Sequence, residues 1–225
     1  MRSIILPATL LATLSLVSCG GSTPEAPVET EATGPAVEAA ANNAFAEVSA
    51  GVYELEKGHA SLLWKISHNG LSYYTARFTE FDATLNFDPI DPTASSVTVT
   101  VDPNSVRTDH PDGDEWDNEL ATGDKFFNAG VFPEITFVST DVTATGETAG
   151  LIIGDLTLLG TTLPVTLEAS FNGVGNPPWY GGRDVIGFSA TGSIARSEFG
   201  MDKLIPNIGD EVEIIVEAEF LESER

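Results

Sequence analysis

The stretch SYYTARFTEFDATLNF, from Ser72 to Phe87, alternates apolar and polar residues but changes phase near its middle. The apolar residues fall into two sets of opposite parity: Tyr74, Ala76 and Phe78 before the change, and Phe81, Ala83, Leu85 and Phe87 after it. Alternation with a period of two is typical of a strand with one buried face. A slip of one residue indicates a bulge or a sharp bend. The stretch therefore predicts a sheet that turns a corner and closes.

Other segments show the same alternation without a slip. They are SVTVTV (96–101), LPVTLEASF (163–171) and EVEIIVEAEF (211–220). Further strand candidates occupy most of the chain after about residue 52, separated by short turns that contain Gly, Pro or Asp. We therefore expect an all-β fold, a single antiparallel up-and-down β-barrel of about eight strands, with a short helix or turn at ATGDKFF (121–127) that places Phe126 and Phe127 over the barrel mouth.

Small residues occupy several inward positions of these strands and allow two interpretations. The positions are Ala76, Ala83, Ala169, Ala190, Gly192 and Ala218. They could leave a cavity, because a barrel of about eight strands is just wide enough to hold one small ligand. The lining would then include Trp64, Phe78, Phe171 and Phe188. Alternatively, small residues accommodate the taper of a filled barrel beside large neighbours, and the pattern alone leaves both interpretations open.

The first residues are typical of an export signal rather than of the fold. Arg2 precedes the apolar run IILPATLLATLSLV, which is too short for a membrane-spanning helix and ends at LVSCGG. We expect a signal peptide over residues 1–18 and lipidation of Cys19, the alternative being an ordinary signal peptide followed by a coincidental cysteine. Residues 19–50 are rich in Pro, Glu, Thr and Ala and predict a disordered acidic tether before a domain at 51–225.

The chain is strongly acidic, with 34 Asp and Glu against 10 Lys and Arg and a formal net charge of −24. We expect no nucleic-acid partner, because the summed field repels polyanions. Outside the leader no run of eighteen apolar residues occurs, so the expected attachment to a membrane is the lipid on Cys19.

Motifs of enzymes are nearly absent. The sequence contains no G-x-S-x-G, no H-E-x-x-H and no G-x-x-x-x-G-K-[ST]. The acidic segment TDHPDGDEWDNE (108–119) lacks the ligand spacing of a calcium loop. We therefore expect this segment to be a solvated loop, and the protein to have no metal site and no cofactor.

Two polar residues remain as candidates for ligand contacts. His68 ends the apolar row Leu62, Trp64 and Ile66. It is either a hydrogen-bonded core histidine or a polar group at the end of the cavity. Arg196 is one of few cations in the chain, and it pairs either with a buried carboxylate or with an anionic head group.

Four blocks, in order, resemble the YceI-like family, the lipocalin-like polyisoprenoid-binding proteins. They are VYELEKGHASLLWKISHNG (52–70), LATGDKFFNAGVFPEITFVST (120–140), GDLTLLGTTLPVTL (154–167) and IARSEFGMD (194–202). The resemblance implies a lipocalin-like barrel with an elongated apolar pocket for an isoprenoid or similar long-chain lipid. It also implies a periplasmic or secreted location and, often, a homodimer. Ala76 departs from the family pattern, which usually has glycine there, and the segment before Phe126 is unusually acidic.

The residues and the resemblance together predict a non-catalytic protein that binds or carries a long-chain isoprenoid-type or quinone-like lipid. The expected apolar contacts are Trp64, Phe78, Phe126, Phe127, Phe137, Phe171 and Phe188, and the expected polar contacts are His68 and Arg196. The expected location is the periplasmic side of a bacterial envelope. Cys19 would carry the anchor, and Gly20 after it favours the outer membrane by analogy.

Two alternatives belong to other functional classes. The first is a structural or stress-protective acidic lipoprotein whose barrel is filled, which the absence of a cavity would favour. The second is a hydrolase or isomerase that uses His68 with a carboxylate on a lipidic substrate. In that case His68→Ala should abolish turnover and leave ligand uptake largely intact.

Overall fold

Strands make up most of the protein in the computed structural model, which describes residues 43–224. The strands are β1 (Gly51–Leu55), β2 (Ser61–His68), β3 (Ser72–Phe78), β4 (Phe81–Phe87), β5 (Ser96–Val101), β6 (Val106–Arg107), β7 (Ile135–Ala144), β8 (Ala149–Leu158), β9 (Thr161–Gly175), β10 (Val185–Ala195) and β11 (Ile208–Glu222). The α-helix α1 (Gly113–Thr122) lies between β6 and β7. An all-β fold with a short helical segment is therefore confirmed.

Eight antiparallel strands close the barrel. In order around the ring they are β1, β4, β5, β7, β8, β9, β10 and β11. The C-terminal end of β11 closes the ring by pairing with β1, where Leu55 lies opposite Phe220. β2 continues β1 along the wall and pairs with the N-terminal part of β11, and β4 likewise continues β3. Each strand of the wall therefore lies beside the strand that follows it in the sequence. The predicted up-and-down barrel of about eight strands is confirmed.

The phase change in the Ser72–Phe87 stretch is the point where the wall divides. β3 ends at Phe78 and β4 begins at Phe81. On either side of this break the neighbours differ, since β4 pairs with β5 whereas β3 pairs with the short β6. The predicted bend is therefore confirmed. No hydrogen-bonded pairing within residues 43–224 joins β3 or β6 to β7, so the wall has a gap on this side.

The helix α1 packs over this gap. Its residues Leu120 and Ala121 are buried against Phe78, Val101 and neighbouring side chains of β3, β5 and β6. The helix is amphipathic, and its apolar face supplies the part of the wall that the strands leave out. Among residues 43–224 no helix has the length and apolar character needed to cross a membrane.

One expectation about this region is corrected. The acidic segment 108–119 is predicted to be a solvated loop, but much of it forms α1. Asp117 is buried and accepts hydrogen bonds from the amide (3.0 Å) and hydroxyl (2.7 Å) of Thr108, which fix the chain before the helix. The helix ends at Thr122, and a turn follows at 124–127, which agrees with the short helix or turn predicted at ATGDKFF.

Aromatic side chains fill the part of the barrel next to β1, and we call this cluster the filled end. Its main members are Phe45, Leu85, Phe87, Phe171, Ile186 and Phe220. The Phe45 ring lies 4.8 Å from that of Phe171 and 5.4 Å from that of Phe87. Phe45 precedes residue 51, so the filled end includes residues N-terminal to β1. The predicted signal peptide (1–18), the lipidated Cys19 and the tether up to residue 42 lie outside the described residues.

Replacing Phe45 with alanine should destabilise the barrel by about 3–5 kcal/mol, the usual cost of removing a buried phenylalanine. The ring is only 6% exposed and contacts two other aromatic rings. Urea unfolding followed by circular dichroism measures the change, with the exposed neighbour Glu47→Ala as the control. Equal stabilities for the two variants would mean that residues 43–50 do not belong to the core.

The carboxylate of Asp184 ties the N-terminal segment to the filled end. It accepts hydrogen bonds from the Ser49 amide (2.7 Å), the Asn176 side chain (2.5 Å) and the Tyr53 hydroxyl (3.4 Å). Burial acts to raise the pKa of Asp184, but these donors outweigh it and hold the pKa below its ordinary value. The ionised carboxylate therefore stabilises the fold.

The stability contributed by Asp184 should disappear in acid. Because the pKa is lower in the folded than in the unfolded state, the contribution is fully present above the unfolded value of about 3.9 and declines as the pH falls through the folded value. The free energy of unfolding of Asp184→Asn should therefore decrease less between pH 6 and pH 3 than that of the unmodified protein. The exposed Asp155→Asn is the control and should follow the unmodified protein. Parallel pH profiles for all three would contradict this assignment.

Candidate functional site

The half of the barrel away from the filled end is hollow. A cavity of about 520 Å³ lies there, and its lining is almost entirely apolar. None of the buried residues of the filled end lines it. The cavity has the size that ligand pockets of proteins usually have, about 300–1,000 Å³. It is therefore the candidate functional site.

Strand alternation directs the lining side chains inward. On β2 the inward row is Leu62, Trp64 and Ile66, and on β11 it is Val212, Ile214 and Val216. The two rows face each other across one ladder, with Trp64 opposite Ile214. The row on β2 extends about 20 Å from Leu62 to His68 at ~3.3 Å per residue, so the site is long enough for an extended chain.

Five of the seven aromatic residues predicted to contact a ligand line this cavity. They are Trp64, Phe78, Phe126, Phe127 and Phe137. The ring of Phe127 lies edge-on to Phe78 at 5.2 Å and to Trp64 at 6.2 Å, whereas Phe126 packs edge-on against Trp116 at 5.9 Å. Phe126 and Phe127 therefore belong to the wall beside α1, between the β2–β3 side and β7.

The other two predicted aromatics, Phe171 and Phe188, do not line the cavity. Their ring centroids lie 5.4 Å apart, and both rings pack in the filled end, Phe188 also against Phe87 and Phe220. Both side chains point inward as their parity indicates. They lie at a height along the barrel where aromatic neighbours occupy the interior, so their predicted place in the lining is corrected.

The cavity does not arise from the small residues that suggested it. None of the six alanine and glycine positions named above lines it. Ala83 and Ala218 lie in the filled end. A Cβ on Gly192 would lie 2.7 Å from Leu167 Cδ2, so this glycine makes room for a large neighbour. Ala83, Ala218 and Gly192 therefore accommodate large neighbours, as in the interpretation of a filled barrel.

The mouth of the cavity is formed by the β2–β3 turn, the loop before β11 and the segment before α1. Its exposed lining residues are His68, Lys203 and Leu204, and His110 is half-buried. The backbone amide of Asn69 donates to the carbonyl of Asn207 at 2.5 Å, which holds the turn against the loop. The mouth therefore contains the polar lining residues His68, His110 and Lys203.

His68 lies at the mouth rather than in the core. Its ring is exposed, and the Asn69 side-chain amide lies 3.2 Å from its Nδ1. Of the two interpretations open for this residue, the structure favours a polar group at the end of the cavity. No carboxylate of residues 43–224 forms an ion pair with His68.

A histidine–carboxylate group occurs elsewhere, on the outside of the barrel. Ligand atoms of Glu56, His59 and Glu219 all lie within 4.8 Å of one another. His59 Nδ1 is 2.5 Å from a Glu56 oxygen and 3.7 Å from a Glu219 oxygen, and the imidazole is 61% exposed. These contacts are those of a surface ion pair, and the expected absence of a metal site stays a prediction.

Arg196 is buried beside the cavity, and no carboxylate of residues 43–224 forms an ion pair with it. Its guanidinium donates to four backbone carbonyls, those of Gly209 (2.8 Å), Met201 (2.6 Å), Lys203 (3.0 Å) and Ile208 (3.1 Å). Burial lowers the pKa of Arg196, and the nearby carboxylates, chiefly Asp210, act to raise it. Arg196 therefore shapes the loop from residue 196 to residue 209, which forms one side of the mouth.

Asp210 holds the other end of the same loop. It accepts from the amide (2.9 Å) and the hydroxyl (2.8 Å) of Ser197. These hydrogen bonds hold the pKa of Asp210 below its ordinary value. The ionised carboxylate and Arg196 together fix the shape of the mouth.

Three polar aromatic residues at the cavity were not predicted from the sequence. Trp116 Nε1 donates to the Tyr74 hydroxyl at 2.9 Å, and the His110 ring lies 5.3 Å from the Trp116 ring. Trp64 Nε1 is buried and has no hydrogen-bond partner among the described residues. A tryptophan within an otherwise charged segment is the signal that could have identified Trp116.

Comparison with known proteins agrees with this architecture. A model of the YceI-like domain matches residues 53–220. A UPF0312 protein of Pseudomonas paraeruginosa is 40% identical over 169 residues, which cover 74% of this chain and 85% of that protein. A YceI protein of Campylobacter jejuni of known crystal structure is 30% identical, with a TM-score of 0.62, and the match covers 71% of this chain and 91% of that one.

A more distant structure shares the fold. It is a polyisoprenoid binding domain of Saccharophagus degradans, 14% identical with a TM-score of 0.56, and the match covers 78% of this chain and all of that domain. The strand order, the matched family model and the identity to these relatives converge. The chain belongs to the YceI-like family.

Proposed function

We propose that this protein binds and carries a long-chain isoprenoid-type lipid without chemical turnover. The observation that carries the proposal is the elongated apolar cavity of about 520 Å³. The Saccharophagus degradans domain, described as polyisoprenoid binding, has the same fold and supports the proposal by analogy. Such a function requires an apolar cavity that fits the ligand and excludes water, and it requires no nucleophile. This agrees with the absence of catalytic motifs.

Burial of the tail supplies enough free energy for tight binding. A tail that buries on the order of 400 Å² of apolar surface gains about 10 kcal/mol at ~25 cal/mol per Å². The loss of translational and rotational freedom on association offsets part of this gain. The aromatic walls at Trp64 and Phe127 add contact without much conformational entropy, because their rings already pack against each other.

The alternative of a barrel with a filled interior receives no support from the cavity. A structural or stress-protective role of that kind required voids no larger than water, and the volume found is many times the ~30 Å³ that one water occupies. The enzyme alternative depends on His68, whose ring contacts Asn69. We propose that His68 contributes a polar contact at the mouth.

Native mass spectrometry of the protein purified from a bacterial envelope tests the binding function. We expect a co-purified ligand with the mass of a polyisoprenoid or an isoprenoid quinone, and its uptake again after delipidation. His68→Ala should retain most of this uptake. A delipidated protein that takes up no long-chain isoprenoid would contradict the proposal, and turnover of the ligand lost in His68→Ala would favour the enzyme.

We further propose that the protein is held at the periplasmic side of the bacterial envelope by a lipid on Cys19. The apolar leader followed by LVSCGG supports this. Labelling with palmitate in a bacterial host should mark the protein, and Cys19→Ser should remove the label and release the protein from membranes. Labelling that persists in Cys19→Ser would contradict the anchor. A homodimer stays a prediction of the family resemblance.

A further inference from the structure

The cationic groups of the cavity are already engaged. Among the described lining residues, the permanently charged cations are Arg196 and Lys203. Arg196 uses four of its five N–H groups on backbone carbonyls, so it cannot offer the paired N–H groups that grip a phosphate. Lys203 is 64% exposed, and its Nζ lies 3.2 Å from Asp202. An exposed, paired lysine attracts an anion weakly in water.

Exposed carboxylates lie close along the chain to lining residues on one side of the mouth. Asp109, Asp114 and Glu115 are exposed and lie within two residues of His110 or Trp116, which line the cavity. The N-terminus of α1 would attract an anion through its dipole, but Asp114 and Glu115 occupy its first turn and oppose that attraction. The mouth is therefore unfavourable for a polyanion, within a chain whose net charge is already −24.

An uncharged hydrogen-bond donor is present instead. Tyr74 lines the cavity, its hydroxyl accepts from Trp116 Nε1, and no described residue accepts the proton of that hydroxyl. A ligand oxygen that accepts a hydrogen bond, without a negative charge, fits this group.

We infer that the cavity selects an isoprenoid whose head is uncharged and carries hydrogen-bond acceptors, as a quinone does, over the same tail ending in a diphosphate. This inference rests on the proposed function and specifies the class of its ligand. Selection arises in two ways: repulsion by the carboxylates near the mouth disfavours the charged head, and the Tyr74 hydroxyl donates a hydrogen bond to the neutral one.

Competition between ligands with one tail and three heads tests the inference. The probes are menatetrenone, geranylgeraniol and geranylgeranyl diphosphate, each displacing labelled geranylgeraniol from the delipidated full chain. We expect menatetrenone to bind at least about tenfold more tightly than the diphosphate at low ionic strength, which corresponds to about 1.4 kcal/mol. Added salt should strengthen only the binding of the diphosphate, because screening weakens its repulsion by the carboxylates.

The outcomes distinguish lipid binding in general from the preference for an uncharged head group. Diphosphate binding that equals or exceeds menatetrenone binding would overturn the inference and leave the proposed lipid binding in place. Failure of all three probes to bind would overturn the proposed function and the inference with it.

Neutralising the mouth gives a second, independent test. The triple variant Asp109→Asn, Asp114→Asn, Glu115→Gln removes three carboxylates for which no hydrogen bond or ion pair is found. It should bind geranylgeranyl diphosphate at least about fivefold more tightly, since like charges are removed. The matched control, Glu47→Gln, Glu168→Gln, Glu224→Gln, removes the same charge from exposed positions away from His110 and Trp116. Equal effects of the two triple variants would show that the net charge of the protein, rather than the carboxylates near the mouth, determines the affinity for the diphosphate.

The donor is tested by removing it without removing the aromatic ring. Tyr74→Phe should weaken menatetrenone binding about threefold to tenfold, in line with one hydrogen bond. Binding of squalene, which has no head group, should change less than twofold in the same variant. A parallel loss of both ligands would mean that Tyr74 acts by shape alone, and would overturn this part of the inference.

Discussion

Replacing Ile214 with tryptophan should strongly weaken lipid binding while leaving the barrel folded. Ile214 lies in the middle of the inward row on β11, opposite Trp64, where the cavity is bounded by both strands. An indole there takes the place of ligand surface on the order of 100 Å², worth about 2.5 kcal/mol. The affinity for a long-chain isoprenoid should fall about 60-fold, which displacement of labelled geranylgeraniol would measure.

The neighbouring residue provides the control for this substitution. Ile215 follows Ile214 on β11 and does not line the cavity, so Ile215→Trp adds the same side chain to the opposite face. Its ligand affinity should stay within about twofold of the unmodified protein, since surface substitutions have small effects. Added apolar volume inside an empty space costs little stability, so both variants should unfold near the same urea concentration. Undiminished uptake by Ile214→Trp would place the ligand outside this cavity.

Removing the guanidinium of Arg196 should be among the most destabilising single changes in the protein. Four backbone carbonyls lose their donor in Arg196→Leu, and each buried polar group left without a partner costs about 1–3 kcal/mol. Water at the mouth restores some of these bonds, so we expect a loss of about 3–5 kcal/mol. Arg196→Lys should recover only a small part, because a single ammonium cannot reach four carbonyls spread around a planar fork.

Urea unfolding measures these losses, and two further measurements identify their cause. Arg107→Leu, at an exposed position, should change the stability by less than about 1 kcal/mol. Hydrogen exchange should show that the loop from residue 197 to residue 207 loses protection first in Arg196→Lys. A stable Arg196→Leu with an intact loop would show that the four hydrogen bonds contribute little.

Strand parity could be read from the sequence, whereas height along the barrel could not. The alternation around Trp64 and Phe137 identified inward side chains, and both line the cavity. Phe171 and Phe188 have equally clear parity but lie in the filled end. Alternation reports the face of a sheet on which a residue lies. Whether the interior is full at that height depends on Phe45 and the other rings brought together by the closed sheet.

The sequence did not predict that the helix α1 begins within the acidic segment 108–119, nor the structure of the mouth, for a different reason. Charges around Trp116 dominate the composition of its segment, although one face of the ten-residue helix is apolar. The partners of Arg196 are main-chain carbonyls, which carry no signature in the side-chain sequence. They are recognisable only once the loop before β11 has its shape. A motif can therefore identify Arg196 as unusual without revealing what it binds.

The hollow half of the barrel links loading to thermal stability. At ~24 cal/mol per Å³, an unfilled space of about 520 Å³ corresponds to about 12 kcal/mol of packing forgone, which is comparable to the whole stability of a typical domain. A lipid in that space acts as a removable part of the hydrophobic core. Loaded and empty molecules should then melt as two separate populations. A melting curve should then measure the fraction of molecules in a preparation that have bound lipid.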